Sequence, residues 1–413
     1  MSKKKKITFV INYFYPDFAS TGQLMTDLCL NLRHDFEITV VAAQPNYAGE
    51  SVNTNKTFEI GYLENIKIVR IRLPEVKKAS KISRFKYIFS YFFLASIALL
   101  KEKKTDIIYT ISQPPILGGL IGSIGKFLKH TKHVYNIQDF NPEQAAAVAY
   151  TDKQYIFKLA RTVDKLNCYY ADHIIVVGQD MAETLKERFK NKKVPKHSVI
   201  NNWTSENEIV PLKKSNNHID LFLKEHNLQD KFIIMYSGNI GLYYDLENII
   251  QVAKEFEESA DIVFLFIGEG AVKSRLQDFV KESNLTNVLF LPYQPKDFIK
   301  YSLNAADIHL VVNQKGIKGV SVPSKIYGVM AAGKPILGVL EQESEAQLLI
   351  EKSNCGIVVE PKDYNGIIES IKSFYQLSSE ERKEIGLNGR LYLEEYLKRE
   401  TSINKYRQLL NRL

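Results

Sequence analysis

Apolar residues recur along this chain in two alternating rhythms. Short continuous runs, such as Ile7-Thr-Phe-Val-Ile and Ile262-Val-Phe-Leu-Phe-Ile, are of strand length. Between them apolar residues return every three or four positions, the period of a helix with one buried face. In the first half the runs predict strands at 7–12, 37–42, 67–72, 106–111, 133–137, 173–177 and 198–200. Leu24, Leu28 and Leu32 mark the helix after the first strand, with Ser20 or Thr21 as its cap;. A second series predicts strands at 232–236, 262–267, 288–291, 308–312, 336–340 and 356–359, and its first helix buries Leu246, Ile249, Ile250 and Ala253. Strands alternating with helices are the signature of a parallel α/β sheet. The stretch SENEIVPLKKSNNH between the two series is polar and aperiodic, so a boundary falls near 203–217;. The expected architecture is α/β: two doubly wound domains, 1–205 and 206–390, and a charged, strandless helical tail. Ligands of such sheets bind outside the C-terminal strand ends, which makes the cleft between the domains the default site.

One stretch of the pattern sets a problem. Residues 319–335 read GVSVPSKIYGVMAAGKP, a short helix opened by Pro323 and closed by Gly333-Lys-Pro;. Lys325 falls in its first turn, where the helix dipole disfavours a cation. An anion between the ammonium and the free N–H groups of that turn removes the conflict, and phosphate is the usual anion there. A surface lysine on a long stem satisfies the same pattern.

Other strand ends carry candidate chemistry of lower specificity. The loops after the first strand of each half, YFYPDFASTG ending at Gly22 and Ser237-Gly-Asn-Ile-Gly241, contain glycines that let backbone approach a ligand;. Neither fits G-x-G-x-x-G, so no dinucleotide is implied. Gly268-Glu-Gly270 and Leu291-Pro-Tyr-Gln-Pro295 close two further strands, where backbone and an aromatic ring can grip a base. All of these also read as ordinary turns. Asp139, at the end of HVYNIQDF, has the position of a group that steers or deprotonates an acceptor hydroxyl, and equally that of a turn cap before Asn141-Pro142;. Asp172, Asp261 and Asp307 sit at strand entrances and read as structural. Glu345 has the chemistry to bind a ribose diol and also suits the start of the helix it opens.

Composition narrows the class. With 45% hydrophobic and 25% charged residues, each half of the 413-residue chain can bury a core of its own;. The net charge of +8 suits an acidic ligand or an anionic membrane surface, and no nucleic-acid motif accompanies it;. The three cysteines are far apart, and there is neither HExxH nor D-x-D, so neither a disulfide scaffold nor a metal cage is expected;. MSKKKK leads directly into a strand-length run, so no secretion signal is read;. Residues 77–104 stand out: YIFSYFFLASIALL, 14 residues at 87–100, is flanked by eight Lys and Arg. A bilayer takes about 20 residues, so this run is too short to span one. A buried core helix and a membrane-surface helix both fit it.

Taken in order, YFYPDFASTGQLMTDL, VYNIQDFNPE, VINNW, YSGNIG, FIGEG, LPYQP, VPSKIYGVMAAGKPIL and SEAQLLIEKSNCGIVV resemble the retaining glycosyltransferase family 4, in particular its bacterial surface-polysaccharide branch that includes fucosamine transferases. The resemblance covers nearly the whole chain. It implies a GT-B fold, with the acceptor bound by the first Rossmann-like domain, the nucleotide-sugar by the second, and a last helix, 391–413, crossing back to the first. It implies no metal. By the same resemblance Lys325 contacts the donor diphosphate with Ser324, Gly238 and Asn239 close by, and Gly270 is a further donor-binding candidate. Tyr293 and Gln294 lie where the family holds the base, Gly22 faces the phosphates, and Asp139 faces the transferred sugar. Two features depart from the family. Its pair of glutamates eight positions apart is replaced here by Val320 and Gly328, which leaves Glu345 as the candidate for the ribose. Its arginine after the first strand of the second domain is absent from Gly241-Leu242-Tyr243.

The expected protein is a retaining enzyme moving a sugar from a UDP-linked donor, with an N-acetylated deoxyhexosamine as one candidate, to a polyprenyl-linked glycan. Its expected place is the cytoplasm, attached to the inner face of the cell membrane through 77–104, with no cofactor. A nucleotide-sugar epimerase and a noncatalytic scaffold on the same fold are the alternatives.

Overall fold

The computed structural model describes residues 4–17, 19–45, 56–75, 81–147, 154–190 and 192–413. Two compact units result: Met1–Ala146 with Thr151–Asn201 and Ser402–Leu413, and Ala147–Tyr150 with Asn202–Thr401. The chain returns to the first unit at Ser402, later than the 391 expected, because residues 391–401 stay with the second.

In chain order the first unit contains β1 (Lys6–Val10), α1 (Ser20–Leu32), β2 (Glu37–Ala43), β3 (Phe58–Leu63), β4 (Ile66–Ile71), α2 (Lys81–Lys101), β5 (Ile107–Ile111), α3 (Leu117–Lys129), β6 (Lys132–Ile137), α4 (Glu143–Ala147), α5 (Gln154–Tyr170), β7 (His173–Val176), α6 (Gln179–Arg188) and β8 (His197–Val199). The sheet runs β3-β4-β2-β1-β5-β6-β7-β8. Every pairing is parallel except β3 with β4. Strand β3 was not expected from the sequence. Its FEIGYL is only half-buried, as an edge strand can be, and a two-residue turn with Glu64 at φ 54° joins it to β4;.

The second unit contains α7 (Asn217–Glu225), β9 (Phe232–Ser237), α8 (Leu246–Ile249), β10 (Ile262–Ile267), α9 (Lys273–Glu282), β11 (Val288–Leu291), α10 (Ile299–Ala305), β12 (Ile308–Val312), α11 (Lys325–Ala331), β13 (Ile336–Val339), α12 (Glu345–Ser353), β14 (Gly356–Val359), α13 (Tyr364–Gln376) and α14 (Ser379–Tyr396). Its sheet, β11-β10-β9-β12-β13-β14, is parallel throughout, and its strand order reverses between β9 and β12. The helix expected over 246–253 is one α-turn continued as a 3₁₀ stretch to Phe256, with all four expected residues buried. The polar linker packs on this unit: Asn304 bonds Val210 and Leu212, and Arg390 donates to the carbonyls of Glu206 and Ile209.

The strand-entrance aspartates are structural, as expected. Asp172 accepts the His133 amide at 2.9 Å, Asp307 accepts the Ile233 amide at 2.8 Å, and Asp261 takes the Tyr375 hydroxyl. Each ties one strand or helix to its neighbour where the ladder begins.

The last helix, α15 (Arg399–Arg412), returns to the first unit by a specific lock. Tyr406 is fully buried against the Tyr109 ring, and the Asn136 amide donates to both phenols, at 3.0 and 2.5 Å. Gln138 in turn donates to Asn136. Tyr406→Ala is expected to destabilise the first unit by about 3–5 kcal/mol through the lost ring and the exposed amide partner. Amide hydrogen exchange along β5 and β6 should rise while the second unit is unchanged. Equal protection in both proteins would remove this role.

Candidate active site

The reversal of strand order in the second unit opens its sheet at the C-terminal ends of β9 and β12, the usual ligand position of such sheets;. After β9 the chain turns through Gly238 at φ 144°, and after β10 through Gly268 at φ 145°, backbone that a side chain strains to adopt;. The two turns pack directly. A Cβ on Gly268 would lie 1.9 Å from the Gly238 carbonyl oxygen, and one on Gly238 would lie 3.5 Å from Lys325 Nζ.

Lys325 opens α11. Its residue is half-buried, yet its Nζ is fully enclosed and has no hydrogen-bond partner among the described residues. The ammonium faces two rings instead, with Tyr236 at 3.4 Å and Tyr244 at 4.5 Å from ring centroid. Such contacts contribute about 2 kcal/mol when desolvated. An ion buried without a partner costs several times that order, so the rings offset only part of the burial. Burial accordingly holds the amine well below its usual pKa. Among the described residues no carboxylate balances its charge.

The cap differs from expectation. The helix begins at Lys325, with Ser324 before it and Pro323 one further back. Of the first-turn amides expected to be free, those of Ile326 and Tyr327 donate to the Pro323 and Ser324 carbonyls at 3.1 and 3.3 Å. The tight turn consumes them. The stop is as read: Gly333 has φ 62°, and its amide and that of Lys334 close the helix.

Several predicted residues gather here. Asn239 lies against Gly270, where an added Cβ would meet its Oδ1 at 2.8 Å, and its carbonyl accepts the Tyr236 hydroxyl. Tyr293 is half-exposed beside Gly268, its hydroxyl 3.4 Å from the Glu269 carbonyl. The Gln294 amide donates to Pro292. Ser324 is exposed next to Lys325. Glu345 is buried at the start of α12. It adds its charge to burial in raising the Tyr392 phenol on α14, surroundings that suit its helix-start reading. At Gly328 an added Cβ would meet only Leu303, at 3.6 Å, whereas Val320 is buried.

Gly22 and Asp139 belong to the first unit. Gly22 lets α1 pack on the preceding loop, since a Cβ there would stand 3.0 Å from that of Tyr13. Asp139 is half-buried just beyond β6, and its amide and that of Gln138 donate to Ser112 Oγ. The following turn is held by Arg188, which stacks on Phe140 at 4.2 Å and pairs with Asp164 and Glu143.

Residues 217–392 match the family described as "Glycosyl transferases group 1". WbjE of Pseudomonas aeruginosa, named as a glycosyltransferase, is 26% identical over 71% of this chain and 72% of its own. WcaI of Escherichia coli K12, named as a glycosyl transferase of colanic acid biosynthesis, is 25% identical over 89% of this chain and 91% of its own. The solved structure of Anabaena HepE in complex with UDP and glucose superposes with a TM-score of 0.74 at 14% identity, covering 99% of this chain and 100% of that one. The chain is a glycosyltransferase with the GT-B fold, and its residues 217–392 are similar to group 1.

Sequence reasoning missed three groups in this glycosyltransferase. Tyr236 and Tyr244 cage the lysine, and Tyr244 lies just beyond the loop where an arginine was sought. Glu341 holds the loop between β12 and α11, its Oε2 accepting the amides of Gly316, Ile317 and Lys318 at 2.9, 3.0 and 2.9 Å. Its position just beyond the end of β13 was the available signal.

Burial lowers the folded-state pKa of Lys325 below the ordinary 10.5, so between those values the unfolded chain binds more protons;. Stability contributed by this group therefore rises with pH. Lys325→Met, which keeps the stem and removes the amine, should be more stable than wild type at neutral pH, and the difference should shrink as pH approaches 10.5. Urea melts of ligand-free protein across that range test this. A constant difference would mean that the amine is not penalised.

Proposed function

We propose that this glycosyltransferase moves a sugar from a nucleotide-diphosphate donor to a lipid-linked glycan during bacterial polysaccharide synthesis. The buried, unpartnered Lys325 amine carries the reading. A diphosphate supplies the missing counter-charge, and as it departs its growing charge falls on a donor already in place. UDP is the favoured nucleotide, supported by HepE having been solved with UDP and glucose. The name of WcaI, referring to colanic acid, supports an exopolysaccharide, capsule or O-antigen product. An N-acetylated deoxyhexosamine remains the sugar favoured by the sequence resemblance.

The bond between the sugar's anomeric carbon and the diphosphate oxygen breaks, and an acceptor hydroxyl bonds to the same face. The hydroxyl proton passes to the leaving phosphate, so configuration is retained without a covalent enzyme intermediate. Lys325 and Ser324 hold the diphosphate, Gly238, Asn239 and Gly270 let backbone lie against the donor, and Tyr293 and Gln294 meet the base. Asp139 orients the acceptor, Gly22 adjoins the phosphates, and Glu345 keeps its candidacy for the ribose. We propose that no metal is needed, the lysine serving as the neutralising charge.

The lipid-linked acceptor has a matching surface on α2. The run expected to be 14 residues belongs to a 21-residue helix, about 31 Å long;. Tyr87, Tyr91, Ala95, Ala98 and Leu99 pack into the core, while Ile82, Phe85, Phe89, Phe93, Ile97 and Leu100 are exposed along the other side. Both sequence readings thus describe one helix, one face to each. Lys77 and Lys78 of the expected segment lie outside the described residues. We propose that this exposed face holds the enzyme on the inner face of the cell membrane. Tyr87 donates to Asn12 beyond β1, which connects that helix to a strand end of the acceptor-side unit.

A screen of nucleotide-sugars with a polyprenyl-linked acceptor tests the activity. Lys325→Ala should lower turnover by at least about 100-fold, the order of one lost transition-state donor, with folding intact. Full turnover in that variant would remove the role of Lys325. Conversion of donor without acceptor would indicate epimerisation, and no thermal shift with UDP would indicate a scaffold.

A further inference from the structure

Exposed large apolar side chains on the first unit are concentrated in one helical layer. Beyond the row on α2, helix α5 exposes Tyr155, Leu159 and Tyr169 to about two-thirds, at 65%, 66% and 64%, with Leu166 on the same side. Their spacings of four, seven and three mark one stripe of a helix;. Helix α3 lies between the two and packs on both. Its Gly125 adjoins Leu99 of α2, and its Phe127 ring meets Tyr170 of α5 at 5.2 Å. Phe127 and Leu128 are themselves exposed, so the apolar surface continues across the layer.

Charge in this layer has one sign. Helices α2 and α3 contain no acidic residue, and the single acid of α5, Asp164, is buried against Arg188. Arg84 and Lys86 on α2 and Lys158 on α5 are exposed among the rings. Apolar stripes interleaved with cations match an anionic lipid surface, where rings enter the headgroup boundary and basic stems reach the phosphates. A second copy of this chain fits poorly, because a two-fold contact would bring cation against cation.

We infer that α2, α3 and α5 form one docking face for an anionic bilayer, with α5 as a second apolar and basic arm beside α2. The inference rests on the reading of α2 as a membrane-surface helix and extends it to residues 154–170. All three helices then lie along the membrane plane, and the enzyme is held by a surface rather than by a single edge.

Vesicles of mixed phosphatidylcholine and phosphatidylglycerol test this with the full chain. One variant carries Phe85→Ser, Phe89→Ser and Phe93→Ser, and another carries Tyr155→Ser, Leu159→Ser and Tyr169→Ser. All six positions are exposed, so thermal unfolding should be unchanged. Each variant should bind vesicles about ten-fold or more weakly than wild type. A separate Leu159→Trp variant should be quenched by lipids brominated on their chains, while the buried Trp203 of the wild type is not. Wild-type vesicle binding in the α5 variant, with Leu159→Trp unquenched, would overturn the inference. The reading of α2 would survive that result if the α2 variant had lost binding, and would fall with it if neither had. A lost dimer in light scattering with unchanged vesicle binding would assign the α5 face to a second copy, and would also overturn the inference.

Discussion

The Lys325 amine is enclosed at the open end of a parallel sheet, and among the described residues nothing bonds to it. The surrounding geometry follows from keeping it there. Gly238 and Gly268 have no side chains to occupy the space, and their positive φ values turn the two loops against each other. Tyr236 and Tyr244 provide ring faces, which attract a cation without neutralising it;. Glu341, the nearby carboxylate that anchors the loop before α11, is engaged with three backbone amides. A carboxylate paired to Lys325 would relieve the cost of burying this charge. The protein keeps a local instability where a ligand can relieve it.

The strands were legible because a sheet covered on both faces needs continuous apolar runs, and those runs need no knowledge of tertiary contacts. Strand β3 was not, because at the edge it needs only half its residues buried, and FEIGYL carries a glutamate and a glycine that read as loop. Lys325 was legible as a charge at the wrong helix end. Its cage was not, since Tyr236 reaches it from β9 and Tyr244 from the loop beyond, and neither pairing has a sequence period. The helix start expected at Pro323 lies two residues later, at Lys325, and the turn before it engages the Ile326 and Tyr327 amides. Local propensity places helix ends only within a residue or two, and phosphate geometry depends on that residue.

Helix α2 shows a different limit. Its composition signalled both core and surface, and period analysis could not divide them because apolar residues occupy nearly every direction around the axis. Only the neighbours decide: Val10, Val41 and Ile108 of the sheet and Ile121 of α3 take the Tyr91 and Ala95 side. What remains is a row of phenylalanines with stacked and edge-on contacts among themselves, Phe85 to Phe89 at 5.6 Å and Phe89 to Phe93 at 4.5 Å. Such contacts order the rings without burying them.

The return of α15 bears on the strand end that precedes Asp139. Tyr406 meets Asn136 near the end of β6, Asn136 accepts from Gln138, and Gln138 and Asp139 both donate their amides to Ser112 beyond β5. Each partner in this chain is buried or half-buried, so an opening at one link leaves a polar group unsatisfied at the next;. From the other side, Arg188 fixes the turn after Asp139 through Phe140, Asp164 and Glu143. Asp139 is therefore held between two rigid anchors, one of them supplied by the last residues of the chain. Two anchors on one strand end restrict its backbone more than a single turn cap does, so the position of Asp139 is fixed by both ends of the first unit's chain;.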